Sequence, residues 1–166
     1  MSDPRIRPMV PQDWIKVADI YAQGIATGIA TFQTEVPHWD VWDAGHRKDA
    51  RIVAEKDSEV IGFATLSPVS ARACYRGVAE VSIYIDESAR GMGIGKLLLK
   101  QLIILSEEVG IWTLQSSIDR ENIASIRLHE SCGFRLLGFR EKIACDWHGV
   151  WRDTVLMERR SQSIGN

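Results

Sequence analysis

The sequence predicts one α/β domain spanning residues 1–160, built as a mixed sheet covered by helices. Two patterns carry that prediction. Strand and helix signals alternate through the middle of the chain, as in crossover units, whereas strands follow one another directly toward both ends, as in hairpins. Composition agrees: 45% hydrophobic and 25% charged residues are ordinary globular usage, enough to build a packed core without a metal or disulfide staple.

The elements follow in order. Asp13 stands in a capping position ahead of Val17, Ile20, Tyr21 and Ile25, whose three- and four-residue intervals mark one buried helical face. Ala26 to Glu35 breaks that period and reads as a loop, and Pro37 to Asp49, with Trp39 and Trp42, reads as a second, irregular helical segment. Arg51 to Glu55 and Val60 to Val69 are rich in β-branched and aromatic residues, and the turn chemistry of Lys56-Asp57-Ser58-Glu59 joins them as a hairpin. After an interruption at Ala71 to Gly77, Glu80 to Ile85 reads as a central strand. Alternation puts Val81, Ile83 and Ile85 on one face and Glu80, Ser82 and Tyr84 on the other.

The broad apolar run from Leu97 to Leu105 predicts a largely buried helix through Glu108, stopped by Gly110. Trp112 to Ile118 predicts a strand, Asn122 to Ser131 a short helix ended by Gly133, and Arg135 to Cys145 with Trp151 to Glu158 a last strand pair around His148-Gly149. Residues 161–166 read as a polar tail.

Charge and cysteine content exclude several function classes. Twenty Lys and Arg against 22 Asp and Glu leave a net charge of -2, without the basic excess that nucleic acid demands. No apolar run approaches a membrane span, and Met1-Ser2-Asp3-Pro4 lacks the basic and apolar regions of a signal peptide, so the expected location is the cytoplasm. Cys74, Cys132 and Cys145 form no Cys-x-x-Cys pair and are expected as reduced, buried thiols; no metal site is expected.

The chemistry concentrates at Arg90-Gly91-Met92-Gly93-Ile94-Gly95-Lys96. Alternate glycines between a strand and a helix let the backbone turn sharply and leave N–H groups uncovered at the helix N-terminus, where an anion binds. Arg90 and Lys96 flank the loop, and two cations added to the helix dipole favour a diphosphate over a single carboxylate. The spacing is Gly-x-Gly-x-Gly, without the Gly-x-Gly-x-x-Gly of dinucleotide folds or the Gly-Lys-Ser/Thr ending of P-loops.

This loop resembles the Arg/Gln-x-x-Gly-x-Gly/Ala signature of the GNAT N-acetyltransferases, which grips the diphosphate of coenzyme A. Asn122-Ile123-Ala124-Ser125 through His129 to Gly133-Phe134 resembles a second signature of the family, whose asparagine contacts the pantetheine arm. Ala30-Thr31-Phe32-Gln33-Thr34, Glu80-Val81-Ser82-Ile83-Tyr84 and Gly149-Val150-Trp151-Arg152-Asp153 are similar to segments of the phosphinothricin and methionine sulfoximine acetyltransferases, although that subfamily usually has Glu in place of Gln33. The resemblance implies the GNAT fold, a twisted, mostly antiparallel sheet with helices on both faces. It also implies acetyl-CoA as acetyl donor, a small amino-acid-like acceptor and a homodimer.

Residue roles follow from combining that likeness with chemistry. An amine attacks a thioester only after losing its proton, and Glu80 is the candidate base. An unperturbed carboxylate titrates near roughly 4.3, so a water relay suits it better than direct abstraction; the competing role is a salt bridge to Arg72 or Arg76. His129, with a reference value of roughly 6.5, is the candidate second proton carrier, and Tyr84 is optional because a thiolate leaves readily. In relatives a strand bulge frees an N–H for the developing oxyanion; here that implicates Val81 to Ile85, with Ile83, Tyr84 and Ile85 presenting backbone to pantetheine. Gly91 to Lys96 with Arg90, and Asn122 with Ser125, complete the expected cofactor contacts. Phe32, Val81 and Ser82 are expected at the acceptor pocket, and Arg72 or Arg76 at the acceptor carboxylate. Two other functions fit the same residues: acetylation of another amine or a protein N-terminus, and non-catalytic coenzyme A sensing.

Overall fold

The computed structural model describes residues 2–166. Its strands are β1 (Arg5–Pro8), β2 (Arg51–Lys56), β3 (Glu59–Pro68), β4 (Val78–Ile85), β5 (Thr113–Asp119), β6 (Arg135–Cys145) and β7 (Trp151–Arg160). The helices are α1 (Trp14–Ala26), α2 (Trp39–Gly45), α3 (Ile94–Glu108) and α4 (Ile123–Ser131). One seven-stranded sheet runs β1-β2-β3-β4-β5-β7-β6, antiparallel at every junction except β4 with β5. The mixed, mostly antiparallel sheet expected from the sequence is therefore present.

Helices cover both faces. Val17, Ile20 and Trp42 from α1 and α2 pack on Val53, Val60 and Phe63, while Leu98, Leu99 and Leu102 of α3 pack on Ile52, Ala64, Leu66 and Val81. The β2–β3 turn holds Asp57 and Ser58 at φ of 50 and 68, the left-handed pair that matches the twist of a two-residue hairpin. A register shift at Ala54/Glu55 leaves Ile61 as an extra residue on β3, so Val60 and Phe63 share a face although they are three positions apart.

Strand β1 has no counterpart among the sequence-based expectations. It is short, carries two arginines and a proline, and buries only Ile6 against the core; Arg5 and Arg7 are instead held by Glu55 across the β1–β2 pair. Asp13 precedes α1 as expected, but its carboxylate accepts from Arg7 at 2.8 and 2.9 Å and from the Val10 N–H, and caps no helical amide of α1. The cysteines depart from expectation too: Cys74 and Cys145 are exposed and Cys132 is only partly buried. Residues 161–166 do not trail away. Ser161 is buried, donating its N–H to the Trp112 carbonyl and its hydroxyl to Glu107, while Arg160 reaches the carbonyls of Ser161, Ile164 and Gly165. Among the described residues no helix is long and apolar enough to cross a membrane.

The decisive feature for the site is how briefly β4 and β5 pair. β4 follows β3 without interruption from Gly62↔Ile85 to Pro68↔Ala79. With β5 it shares only Val78↔Thr113, Ala79↔Leu114 and Glu80↔Gln115. Beyond that rung β5 stays with β7 as far as Asp119↔Thr154, and the two parallel strands separate into a wedge. The regular β3–β4 register also corrects the expected bulge. Main-chain groups of Val81 to Ile85 are exposed to the wedge because the strands part, with no extra residue in β4.

Candidate active site

A cavity of about 860 Å³ occupies this wedge, roofed by the loop after α1 and walled by the N-terminal turns of α3 and α4. It gathers Phe32, Glu80, Val81, Ser82, Ile83, Tyr84, Ile85, Arg90, Gly91, Gly93, Ile94, Gly95, Lys96, Asn122, Ser125 and His129. Met92 is exposed and outside the lining, as are Arg72, Arg76 and Gln33. Arg72 stacks over Tyr75, and Arg76 stacks over Trp112 while donating to the Ala73 carbonyl. Neither arginine pairs with Glu80, so the salt-bridge role weighed for that carboxylate is not what holds it.

At one end lies the glycine loop. The turn leading into it is fixed by buried Asp86, which accepts from the Ser88 N–H and hydroxyl and pairs with Lys16 at 2.8 Å. Burial works against the charge of Asp86, yet these partners together hold its carboxyl well below the usual carboxylate range. Gln23 of α1 completes the anchor by accepting the Glu87 N–H at 2.8 Å. Gly93, at φ 79, occupies the position before α3, a left-handed conformation that a side chain would strain. The bond from Leu97 N–H to the Gly93 carbonyl begins the helical ladder, which leaves the amides of residues 94–96 directed at the cavity mouth. Arg90 and Lys96 stand beside them, and among the described residues neither is engaged in an ion pair. Main-chain donors and two cations together suit an extended anion.

At the other end Glu80 sits on the last shared rung. Gln115 Nε2 donates to Oε2 at 2.7 Å and the Ser117 N–H to Oε1 at 3.1 Å. Sequence reasoning missed both partners. The available signal was the alternation of Gln115, Ser117 and Asp119 along β5, which puts three polar residues on one face. The carboxylate keeps free acceptor positions on both oxygens and so can take a proton from a water in the wedge.

His129 is 1% exposed, on the inner face of α4. Its Nδ1 lies 2.7 Å from the Ser125 carbonyl, the ring meets Phe134 edge-on, and Nε2 has no partner among the described residues. Burial pushes its pKa below the usual imidazole range, against a smaller upward pull from the Ser125 bond. Asn122 caps α4 by accepting the Ser125 N–H at 3.2 Å, and its Nδ2 reaches the Ile29 carbonyl in the roof at 3.5 Å. Tyr84 is enclosed between Tyr21 and Phe63, and burial raises its phenol well above the usual range.

The residues that line this wedge fall within a stretch that matches a known family. The acetyltransferase (GNAT) family profile covers residues 21–134. The chain belongs to the GNAT acetyltransferase family. It is 36% identical over 165 residues to phosphinothricin N-acetyltransferase of Alcaligenes faecalis, covering 93% of this chain and 81% of the relative. Over 119 residues it is 31% identical to the L-methionine sulfoximine/L-methionine sulfone acetyltransferase of Pseudomonas paraeruginosa, covering 70% of this chain and 69% of the relative. The fold superposes on a phosphinothricin acetyltransferase from Sinorhizobium meliloti, solved in complex with acetyl-CoA, with a TM-score of 0.84, 28% identity and coverage of 97% and 95% of the two chains. This GNAT chain is an acetyltransferase, and the sequence-derived fold and family stand.

Proposed function

We propose that this enzyme moves acetyl from acetyl-CoA to the amino group of a small, amino-acid-like acceptor of the phosphinothricin, L-methionine sulfoximine or sulfone type. One observation carries the reading: the anion loop at Gly91 to Lys96 and the Glu80 carboxylate open into a single wedge, joined by the free edge of β4. The named activities of the Alcaligenes and Pseudomonas relatives support the acceptor class.

In this reading the amides of Gly91 to Lys96, with Arg90 and Lys96, hold the diphosphate of coenzyme A. The exposed backbone of Ile83, Tyr84 and Ile85 pairs with pantetheine amides as an added strand would, and Asn122 and Ser125 flank the arm. Bound acetyl-CoA supplies the electrophilic thioester carbon. Glu80 accepts the ammonium proton through a water, and a main-chain N–H between Val81 and Ile85 steadies the oxygen that gains charge. His129 offers its Nε2 lone pair as a second proton acceptor. Phe32, beside Val81 and Ser82, walls the acceptor pocket; Arg72 and Arg76, on the loop before β4, meet an acceptor carboxylate only from its outer rim.

The exposed apolar side chains of Leu137, Phe139, Trp147 and Trp151 on the β6–β7 hairpin support a homodimer through that edge. The test of function is thiol release from acetyl-CoA against a panel of amino acids, their sulfur and phosphorus analogues, and peptide N-termini. Turnover of the phosphinothricin or methionine sulfoximine arm is expected. Turnover confined to peptides moves the acceptor assignment to protein N-termini. Silence in every arm, with coenzyme A still bound, leaves only the sensing role.

A further inference from the structure

We infer that Gln115 is a positioning residue for the transfer, acting as a two-way clamp on Glu80. The inference rests on the proposed role of Glu80 as proton acceptor and adds to it the group that sets its geometry. Glu80 and Gln115 are directly opposed on the last rung before β4 and β5 part, so their side chains leave the sheet on the same side. Gln115 Nε2 lies 2.7 Å from Oε2, and the Ser117 N–H lies 3.1 Å from Oε1. Among the described residues Glu80 has no salt bridge; its charge is met by two neutral donors, one on each oxygen.

That choice of partner matters for a group that must gain and lose a proton in every turnover. An arginine or lysine is donor-only and would hold the carboxylate in its charged form. A carboxamide carries donor and acceptor on one planar group. It donates to the carboxylate and, after a half-turn of the amide, accepts from the protonated acid. The Ser117 N–H comes from the backbone and fixes one oxygen whatever side chain is present, so Gln115 alone decides how the second oxygen is aimed and how readily it takes up a proton. The rung also explains the placement: one residue further along, the strands have separated and β5 offers no directly opposed partner.

The experiment compares wild type, Gln115→Leu, Gln115→Lys and Glu80→Gln in kcat, KM for acetyl-CoA and the pH profile of kcat/KM for an accepted amine. Coenzyme A calorimetry and thermal melting confirm that each variant is folded. Gln115→Leu is expected to lower kcat about tenfold to a hundredfold, the usual worth of one hydrogen bond to a charged group, with KM for acetyl-CoA unchanged. Losing a donor makes the carboxylate easier to protonate, so the acidic limb moves to higher pH; Gln115→Lys moves it to lower pH. A merely structural role gives no such opposed shifts. If Glu80→Gln is inactive while both Gln115 variants keep the wild-type rate and profile, the clamp is wrong and the role of Glu80 survives. Wild-type activity in Glu80→Gln overturns the role of Glu80 itself, and the clamp with it.

Discussion

The His129 imidazole donates from Nδ1 to the Ser125 carbonyl, 2.7 Å away and one helical turn earlier, and this bond dictates what the other nitrogen can do. With the proton on Nδ1, Nε2 carries a buried lone pair that has no partner among the described residues, and burial keeps the ring neutral near pH 7. A buried acceptor of this kind suits a hydrogen bond from a donor, and the proton-carrier role proposed for His129 has to work against the burial that disfavours its charged form.

Stability should record the same fact. Below roughly pH 6.5 an unfolded chain protonates His129 whereas the folded chain resists, so the unfolded state binds more protons and stability falls with falling pH. We expect the melting temperature of wild type to drop as pH passes below that value, and His129→Gln to flatten the fall. Half-buried His46, whose pKa is also lowered chiefly by desolvation, leaves a residual slope. Identical pH dependence in wild type and variant would refute the assignment.

The flanking cations of the glycine loop should act on binding alone. Arg90→Ala and Lys96→Ala are each expected to raise KM for acetyl-CoA about tenfold with kcat unchanged, and the penalty should shrink in high salt because both groups are solvent-accessible. Steady-state kinetics at two ionic strengths checks this. A drop in kcat at saturating acetyl-CoA counts against a purely electrostatic role.

Gly24 shows where packing overrides helix propensity. Alanine is ordinarily favoured over glycine inside a helix, but a Cβ here would lie 2.6 Å from Tyr84 Cδ1 and 2.8 Å from Cε1. Gly24→Ala should destabilise the protein by about 2 kcal/mol, because the ring must move within a closely packed site. Denaturant unfolding measures it, and a stabilised variant would mean that α1 and β4 adjust freely.

Tyr84 itself should be dispensable as an acid. Its phenol is enclosed between Tyr21 and Phe63 and held protonated by burial. Tyr84→Phe is expected to retain kcat within about threefold, where loss of a general acid would cost a hundredfold or more. A pre-steady-state acetylation rate provides the readout.

Much of the site was legible in local sequence. The Arg90 to Lys96 spacing, the face alternation of Glu80 to Ile85 and the short helix from Asn122 to Ser131 each depend on neighbours within a turn or a few strand positions, where backbone geometry ties residue type to conformation. Glu80 and His129 are singled out by the family likeness together with their proton chemistry, and both line the wedge.

What the chain by itself determined, then, is the four helices and every strand but β1, the glycine loop and the face of β4 that carries the carboxylate. Tertiary structure decided the rest: that β1 adds to the sheet edge, that β7 slots between β5 and β6, and that β4 leaves β5 after Glu80↔Gln115. These are pairings between segments distant in sequence, chosen by summed packing and hydrogen bonding over the whole sheet. No local pattern encodes them. The same limit explains why Gln115 escaped notice and why Arg72 and Arg76, plausible by type, lie outside the cavity. A side chain's reach depends on the register of its strand and the course of its loop, and both are settled only when the sheet closes around its core.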